Sequence, residues 1–328
     1  IQVVNNSLYV EQPELDRMGF EAFSERHQEK WYTVVLVETL LHVLQRFALP
    51  DVDICVSEEV PQVLKGENHP SFAMTVSSAH MDILVPDFFF RYWDPEVQIP
   101  HMWYKPPIDR SLYAATKALP WAQRIPRLWW RGTVSSWYQS ARGRLVRLSA
   151  QHRELLDAKP LRVVGKAAEE KWEGLEELLA EMKVQDSGQG QVTDPHEVHN
   201  FKFVISTHGP HNHWSNRFRS LLSTGALVFK QEGTLREFWE HELQPWEHYV
   251  PVNPNLDDLV EKVEWALENE AEAEAIAAAG FAFVRERLRI SRVSCYWAHL
   301  LHRYGALLDY VPTPGENAMR YANINAFL

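Results

Sequence analysis

The chain has 328 residues, 45% apolar and 23% charged, enough for two ordinary domains and unlike a disordered, coiled-coil or collagen-like composition. Its net charge of −11, from 33 basic and 44 acidic side chains, argues against general nucleic-acid binding. The longest apolar stretch, Val34 to Leu44, carries Glu38 and His42. That is well short of the roughly 18 residues of a membrane span, so no membrane contact is expected of this chain. Two cysteines, Cys55 and Cys295, allow one disulfide at most and exclude a four-cysteine zinc site. Ile1-Gln2-Val3 has neither initiator Met nor signal peptide and reads as a trimmed or mature start. Asn5-Asn6-Ser7 fits a glycosylation sequon.

In chain order, Trp31 to Leu49 has the length and spacing of a buried helix stopped by Pro50. Short β-prone runs follow at Val52 to Val56, Phe72 to Ser77 and Asp82 to Val85. Residues 93 to 107 mix prolines with Trp and Tyr and read as a long ordered loop. Arg127 to Arg131 predicts a strand, and Gly143 to His152 a helix. Beyond it, Leu161 to Gly165 predicts a strand and Ala167 to Lys183 an acidic amphipathic helix; Gln185 to Asp194 is a loop. Phe201 to Ser206 is a strand, Ser215 to Ser223 a helix ending near Gly225, and Ala226 to Phe229 and Tyr249 to Val252 further strands. Helices complete the chain at Leu256 to Glu268, Ala271 to Leu288 and Ser291 to Tyr310. Strands alternating with helices predict α/β architecture around a parallel sheet. The change from basic to acidic composition at 153 to 160 places the expected domain boundary there.

Two stretches carry chemistry. Arg124, Arg127, Arg131, Arg142, Arg144 and Arg147 form a basic island with no Asp or Glu between 124 and 147. It is either a partner for the acidic helices or an anion site, since the guanidinium fork grips phosphate in two-point contacts. Trp130-Arg131-Gly132-Thr133 favours the anion: an apolar strand ends in Arg, Gly and a hydroxyl. Further on, strand Phe201 to Ser206 feeds the polar loop Thr207 to Trp214, and a helix opens at Ser215. A Ser cap, first-turn N–H groups and the helix dipole suit a diphosphate, and Arg217 in that turn opposes the dipole unless an anion lies between. His208, His211 and His213 lack the Cys or carboxylate set of a metal site. Asp51-Val52-Asp53 has the form of a cation-holding carboxylate pair but matches by chance more readily. Glu58-Glu59 follows a strand, where catalytic carboxylates of α/β folds lie. The 13 tryptophans suit sugar stacking or core equally.

In chain order stand Ser215-Asn216-Arg217-Phe218-Arg219, Gly225-Ala226-Leu227-Val228-Phe229-Lys230, Glu237-Phe238-Trp239, Pro245-Trp246-Glu247-His248-Tyr249-Val250-Pro251-Val252 and Cys295-Tyr296-Trp297. Upstream of them lie Asp82-Ile83, Pro86-Asp87-Phe88 and Trp130-Arg131-Gly132. By these motifs and their order, from about residue 51 to 310, the sequence resembles glycosyltransferase family 90, the Rumi-type protein O-glucosyltransferases and capsule-associated fungal xylosyltransferases.

The resemblance implies a GT-B-type fold of two Rossmann-like domains facing a cleft. These would be 1–155, completed by 290–328, and a nucleotide-sugar-binding domain at 156–289. It implies an inverting glycosyltransferase moving xylose or glucose from a UDP-sugar to a glycan or protein acceptor. No cofactor and no metal would take part; the alternative is a catalytically silent nucleotide-sugar- or glycan-binding protein. Donor-binding positions carry over to Arg131, Gly132, Thr133, Arg142, His213, Trp214, Ser215, Asn216, Arg217 and, by analogy with the fold, Glu237. Asp82 and Trp93 fall on the acceptor side. The family's catalytic Asp is replaced by Glu59, in Glu59-Val60-Pro61-Gln62-Val63, one methylene longer; Glu58 and Asp82 are the alternative bases. The family also implies the lumen of the endoplasmic reticulum or Golgi.

Overall fold

The computed structural model describes residues 1–11, 30–57, 71–87, 90, 119–181, 195–209 and 217–321. It begins with strands β1 (Gln2–Val4) and β2 (Ser7–Glu11), helix α1 (Lys30–Leu44), and strands β3 (Val52–Asp53), β4 (Phe72–Ala73) and β5 (Ile83–Leu84). Next come β6 (Ile125–Val134), α2 (Ala141–Gln151), β7 (Leu156–Val163), α3 (Leu175–Glu181), β8 (Phe201–Ser206) and α4 (Arg217–Leu222). Then follow β9 (Leu227–Gln231), β10 (Val250–Val252), α5 (Leu259–Glu268), α6 (Glu270–Arg287), α7 (Ile290–Gly305) and β11 (Ala318–Tyr321). Contacts divide the chain into two units, Ile1–Gln98 with Thr234–Glu240 and Leu288–Leu328, and Ile99–Gly233 with His241–Arg287.

In the first unit an antiparallel sheet has the order β11-β2-β1-β3, beside the parallel pair β4-β5. The β1–β2 hairpin turns on Asn5 and Asn6, whose φ angles of 48° and 54° are those of a type I′ turn. Asn tolerates that left-handed backbone, so the residues that read as a sequon also set the strand register. Leu8 and Val10 alternate inward along β2. Val37, Leu40 and Val43 of α1 are buried, and α1 packs with α7, which joins the end of the chain to its beginning.

The second unit holds five parallel strands in the order β10-β9-β8-β6-β7. This corrects the boundary expected near 155: β6 lies inside this sheet, bonded to both β7 and β8, and does not close a separate domain. Leu128-Trp129-Trp130 is buried throughout, as a central parallel strand must be. The change in side-chain charge at 153 to 160 says nothing of backbone pairing: Arg131 ahead of it and Asp157 within it form an ion pair between β6 and β7. Leu128, Trp130, Phe203, Ile205, Leu227 and Phe229 form one core with residues of α2, α5 and α6. Two further expectations are revised. β7 starts at Leu156, five residues before the predicted strand, and tolerates Pro160 because it is an edge strand. The acidic helix is interrupted: a 3-10 turn spans Gly165–Ala168, Gly174 takes φ +86°, and α3 begins at Leu175.

Candidate anion site at the carboxyl ends of the parallel strands

The chain leaves β6 for its neighbour β7 on one side, then returns across the sheet to β8 on the other. The sheet's direction of growth therefore reverses between β6 and β8. Ligands of open α/β sheets bind in the crevice outside such a point, at the carboxyl ends of the strands. Arg142, in the first turn of α2, reaches that place. Its Nε donates to Thr207 Oγ1 after β8 (3.3 Å) and its Nη1 to the Thr133 carbonyl on β6 (3.4 Å). On the next strand, Lys230 stands opposite Ser206 in the ladder. The His208 backbone N–H donates to Gln231 Oε1 (2.9 Å). The His208 ring lies against Gly233, where an added Cβ would come within 2.3 Å of the ring carbon Cε1.

These cations act on one another. Burial, and then the charge of Arg217, push the Arg142 guanidinium down from 12.5 to about 10. Burial, followed by Lys230 and more weakly Arg142, holds the His208 imidazole below its ordinary 6.5, against a hydrogen bond to the Gln231 backbone. Among the described residues, no carboxylate contributes to the shift of either residue. Like charges gathered at strand ends in an acidic protein are unfavourable in isolation. A multiply charged anion such as a diphosphate removes the repulsion and uses their donors.

The segment before α2 holds Arg142 in place. Glu170 accepts from Ser136 Oγ (2.8 Å) and from the Trp137 backbone N–H (2.5 Å), and the buried Trp137 indole donates to the Ala167 carbonyl (2.7 Å). Ser140 caps the helix by accepting from Gly143 N (3.0 Å). Gly143 touches backbone: an added Cβ would lie 2.0 Å from the Ser136 carbonyl oxygen and 2.5 Å from Trp137 Cα.

Among the sequence-predicted donor positions, Thr133, Arg142 and Arg217 converge in this unit. Arg131 does not serve as expected. Its guanidinium is buried and committed to Asp157 (3.1 Å) and Glu197 (3.3 Å), with a further bond to the Asp157 carbonyl (2.7 Å). Depth along the strand and a break in its register explain this: Thr133 lies next to the last residue of β6, beyond the register shift at Gly132/Thr133, whereas Arg131 is two residues deeper and level with Lys159 of β7. Arg131→Met is expected to lower stability in chemical denaturation by about 3 kcal/mol, the low end for a broken buried pair. The low end applies because Lys159 also reaches Asp157 (3.7 Å). Gly132 is required by packing, since a Cβ there would meet the Trp130 ring at 2.6 Å.

Glu237 is buried in the first unit and accepts from the Trp239 indole (3.0 Å). Asp82 is buried just ahead of β5 in the same unit. Glu58, Glu59, Trp93, His211, His213, Trp214, Ser215 and Asn216 lie outside the described residues, and with them the predicted Ser215 cap. Cys55 and Cys295 are exposed free thiols. Among the described residues no group of three or more His, Cys, Asp or Glu is placed to hold a metal ion, and no helix is long and apolar enough to cross a membrane. Sequence reasoning did not single out Lys230, and it weighed His208 only as a metal ligand. Their common signal is position, each at the carboxyl end of a predicted strand, which becomes informative only once the strand order is known.

Over residues 1–324 the chain matches Glycosyl transferase family 90 and belongs to that family. Protein O-glucosyltransferase 1 of Homo sapiens is 28% identical over 284 residues, 83% of this chain and 66% of that protein. O-glucosyltransferase rumi of Drosophila melanogaster is 26% identical over 279 residues, 82% of this chain and 63% of that protein. The chain thus spans about two thirds of the length of these relatives. A crystal structure of Anabaena Alr3699/HepE in complex with UDP and glucose overlaps 60% of this chain and 52% of that one, at 13% identity and TM-score 0.39.

Proposed function

We propose that the protein is an inverting glycosyltransferase that moves a sugar, glucose foremost and xylose second, from a UDP-sugar to a hydroxyl of a protein or glycan acceptor. The observation that carries this reading is the gathering of Arg142, Lys230 and His208, with Arg217 acting on Arg142, at the switch between β6 and β8. Glucose is favoured by the names of the relatives, which are O-glucosyltransferases. Glu59 takes the acceptor proton as that oxygen attacks the anomeric carbon. Charge then develops on the leaving β-phosphate, where Arg142, Arg217 and Lys230 stabilise it without a metal. Ser215 and its neighbours His213, Trp214 and Asn216 complete the diphosphate loop in this reading. Glu237 holds the ribose hydroxyls, and Asp82 and Trp93 lie toward the acceptor. The lumen of the secretory pathway is the setting proposed with this activity.

Titrating UDP by calorimetry with EDTA present tests the donor site. Arg217→Ala is expected to weaken UDP by roughly 10- to 100-fold, the ~1.5–3 kcal/mol of a charge-assisted phosphate contact. Binding abolished by EDTA in the parent protein would sink the metal-free reading and return attention to Asp51 and Asp53. UDP binding without sugar transfer across a donor and acceptor panel would identify the silent binding protein instead.

A further inference from the structure

We propose that His208 is a ligand of the donor's diphosphate and that it takes up a proton from solvent as the nucleotide sugar enters. The inference rests on the donor reading above and adds a ligand role for His208 and a proton linkage that the reading does not contain.

The geometry places the imidazole in the crevice. His208 is the second residue beyond β8, immediately after Thr207, whose hydroxyl receives Arg142 (3.3 Å). Its backbone is tied to Gln231 (2.9 Å), and its ring rests against the bare Cα of Gly233, which leaves no room for any other residue type there. The Gln231 backbone favours the protonated ring, and an imidazolium has two N–H donors, one for that backbone and one for a phosphate oxygen. Among the described residues, the charged groups acting on it are Lys230 from β9 and Arg142 from α2, with Arg217 of α4 acting on Arg142. The neighbouring carboxylate, Glu232, is engaged by the Tyr249 hydroxyl (3.5 Å).

Burial, together with the charges of Lys230 and Arg142 beside it, disfavours the imidazolium in the free protein. A bound diphosphate reverses the sign of the local field and stabilises the imidazolium, which then donates to a phosphate oxygen. The sign follows from linkage. A pKa that is low in the free state and raised in the bound state makes donor affinity increase as pH falls through the bound-state value. The gain levels off below the free-state value. Each unit of that rise is worth roughly tenfold in affinity.

The test uses the whole chain and UDP-glucose, whose diphosphate is esterified at both ends and does not itself ionise near neutrality. Calorimetry at pH 7 in buffers of different ionisation heat counts the protons exchanged. The parent should take up a measurable fraction of a proton, and His208→Asn should take up none while still binding, more weakly and with a flat pH profile from 6 to 8. NMR titration of the parent's histidines, with and without UDP-glucose, reads the same event should His208→Asn fail to fold: one imidazole titrates below 6.5 when free and higher when bound. UDP-glucose binding with no proton exchange, or with uptake unchanged in His208→Asn, would overturn the inference and leave the donor site intact. A parent chain that fails to bind UDP-glucose overturns the donor reading and this inference together.

Discussion

Replacing Glu59 by Gln is expected to lower sugar transfer by about 10²- to 10⁴-fold, the usual worth of a positioned general base, while UDP-sugar binding stays within about twofold. Gln preserves shape and removes only the proton acceptor, so the effect should fall on kcat. By the family resemblance, Glu59, in Glu59-Val60-Pro61-Gln62-Val63, is proposed for the place of the family's Asp, with one methylene more. A longer arm on the base requires the acceptor oxygen to sit farther back. Glu59→Asp therefore provides a second reading of the same site: partial activity supports the base assignment, since a carboxylate is retained at shorter reach. Parent-rate transfer by Glu59→Gln, with Glu58→Gln or Asp82→Asn inactive, would move the role to that neighbour. Full activity in all three would end the carboxylate-base mechanism.

The second large effect is structural and has no counterpart in the family resemblance. Gly143→Ala is expected to lower stability by about 3 kcal/mol or more, the top of the range for overpacking. The atom met by the new methyl group is the Ser136 backbone carbonyl at 2.0 Å, which no rotamer change can relieve. Relief requires the amino end of α2 to move away from the segment that Glu170 and Trp137 pin, and Arg142 moves with it. UDP affinity should therefore fall along with the melting temperature. Gly305→Ala is the control, because its Cβ crowds the Pro50 and Val52 side chains (3.0 and 3.1 Å) in α7 of the first unit, which contributes none of the anion-site residues. It should lose stability and keep UDP affinity. Equal loss of affinity in both variants would mean that Arg142 is not positioned by this contact.

Much of the second unit was legible in its sequence. Apolar runs such as Phe201–Ser206 and Leu227–Gln231 can satisfy their backbone only in a sheet buried on both faces, and the helical segments between them make that sheet parallel. The sequence also showed a local excess of arginine at 124 to 147 that asks for an anion; Arg142 from that island, and Arg217 from the later segment, are part of the site. Other features depend on pairings between distant residues, to which local patterns are blind. The Asn5-Asn6 turn was readable in principle, but its partner strand β11 lies more than 300 residues away. The place of β6 in the sheet is decided by β7 and β8 competing for its two edges, so a boundary drawn from surface charge fell in the wrong place.

Arginine shows most plainly what tertiary structure alone decides. Arg131 and Arg142 share a basic island and the same chemistry, and nothing local separates them. The fold buries Arg131 against Asp157 and Glu197 and delivers Arg142 to the strand ends. It also brings Lys230 and His208 there, from strands that are neighbours only in the folded sheet. Sequence determines which charges the protein owns and which segments must be buried. Which of those charges neutralise one another, and which are left facing a ligand, depends on distances of a few ångströms that exist only after the strands have been ordered.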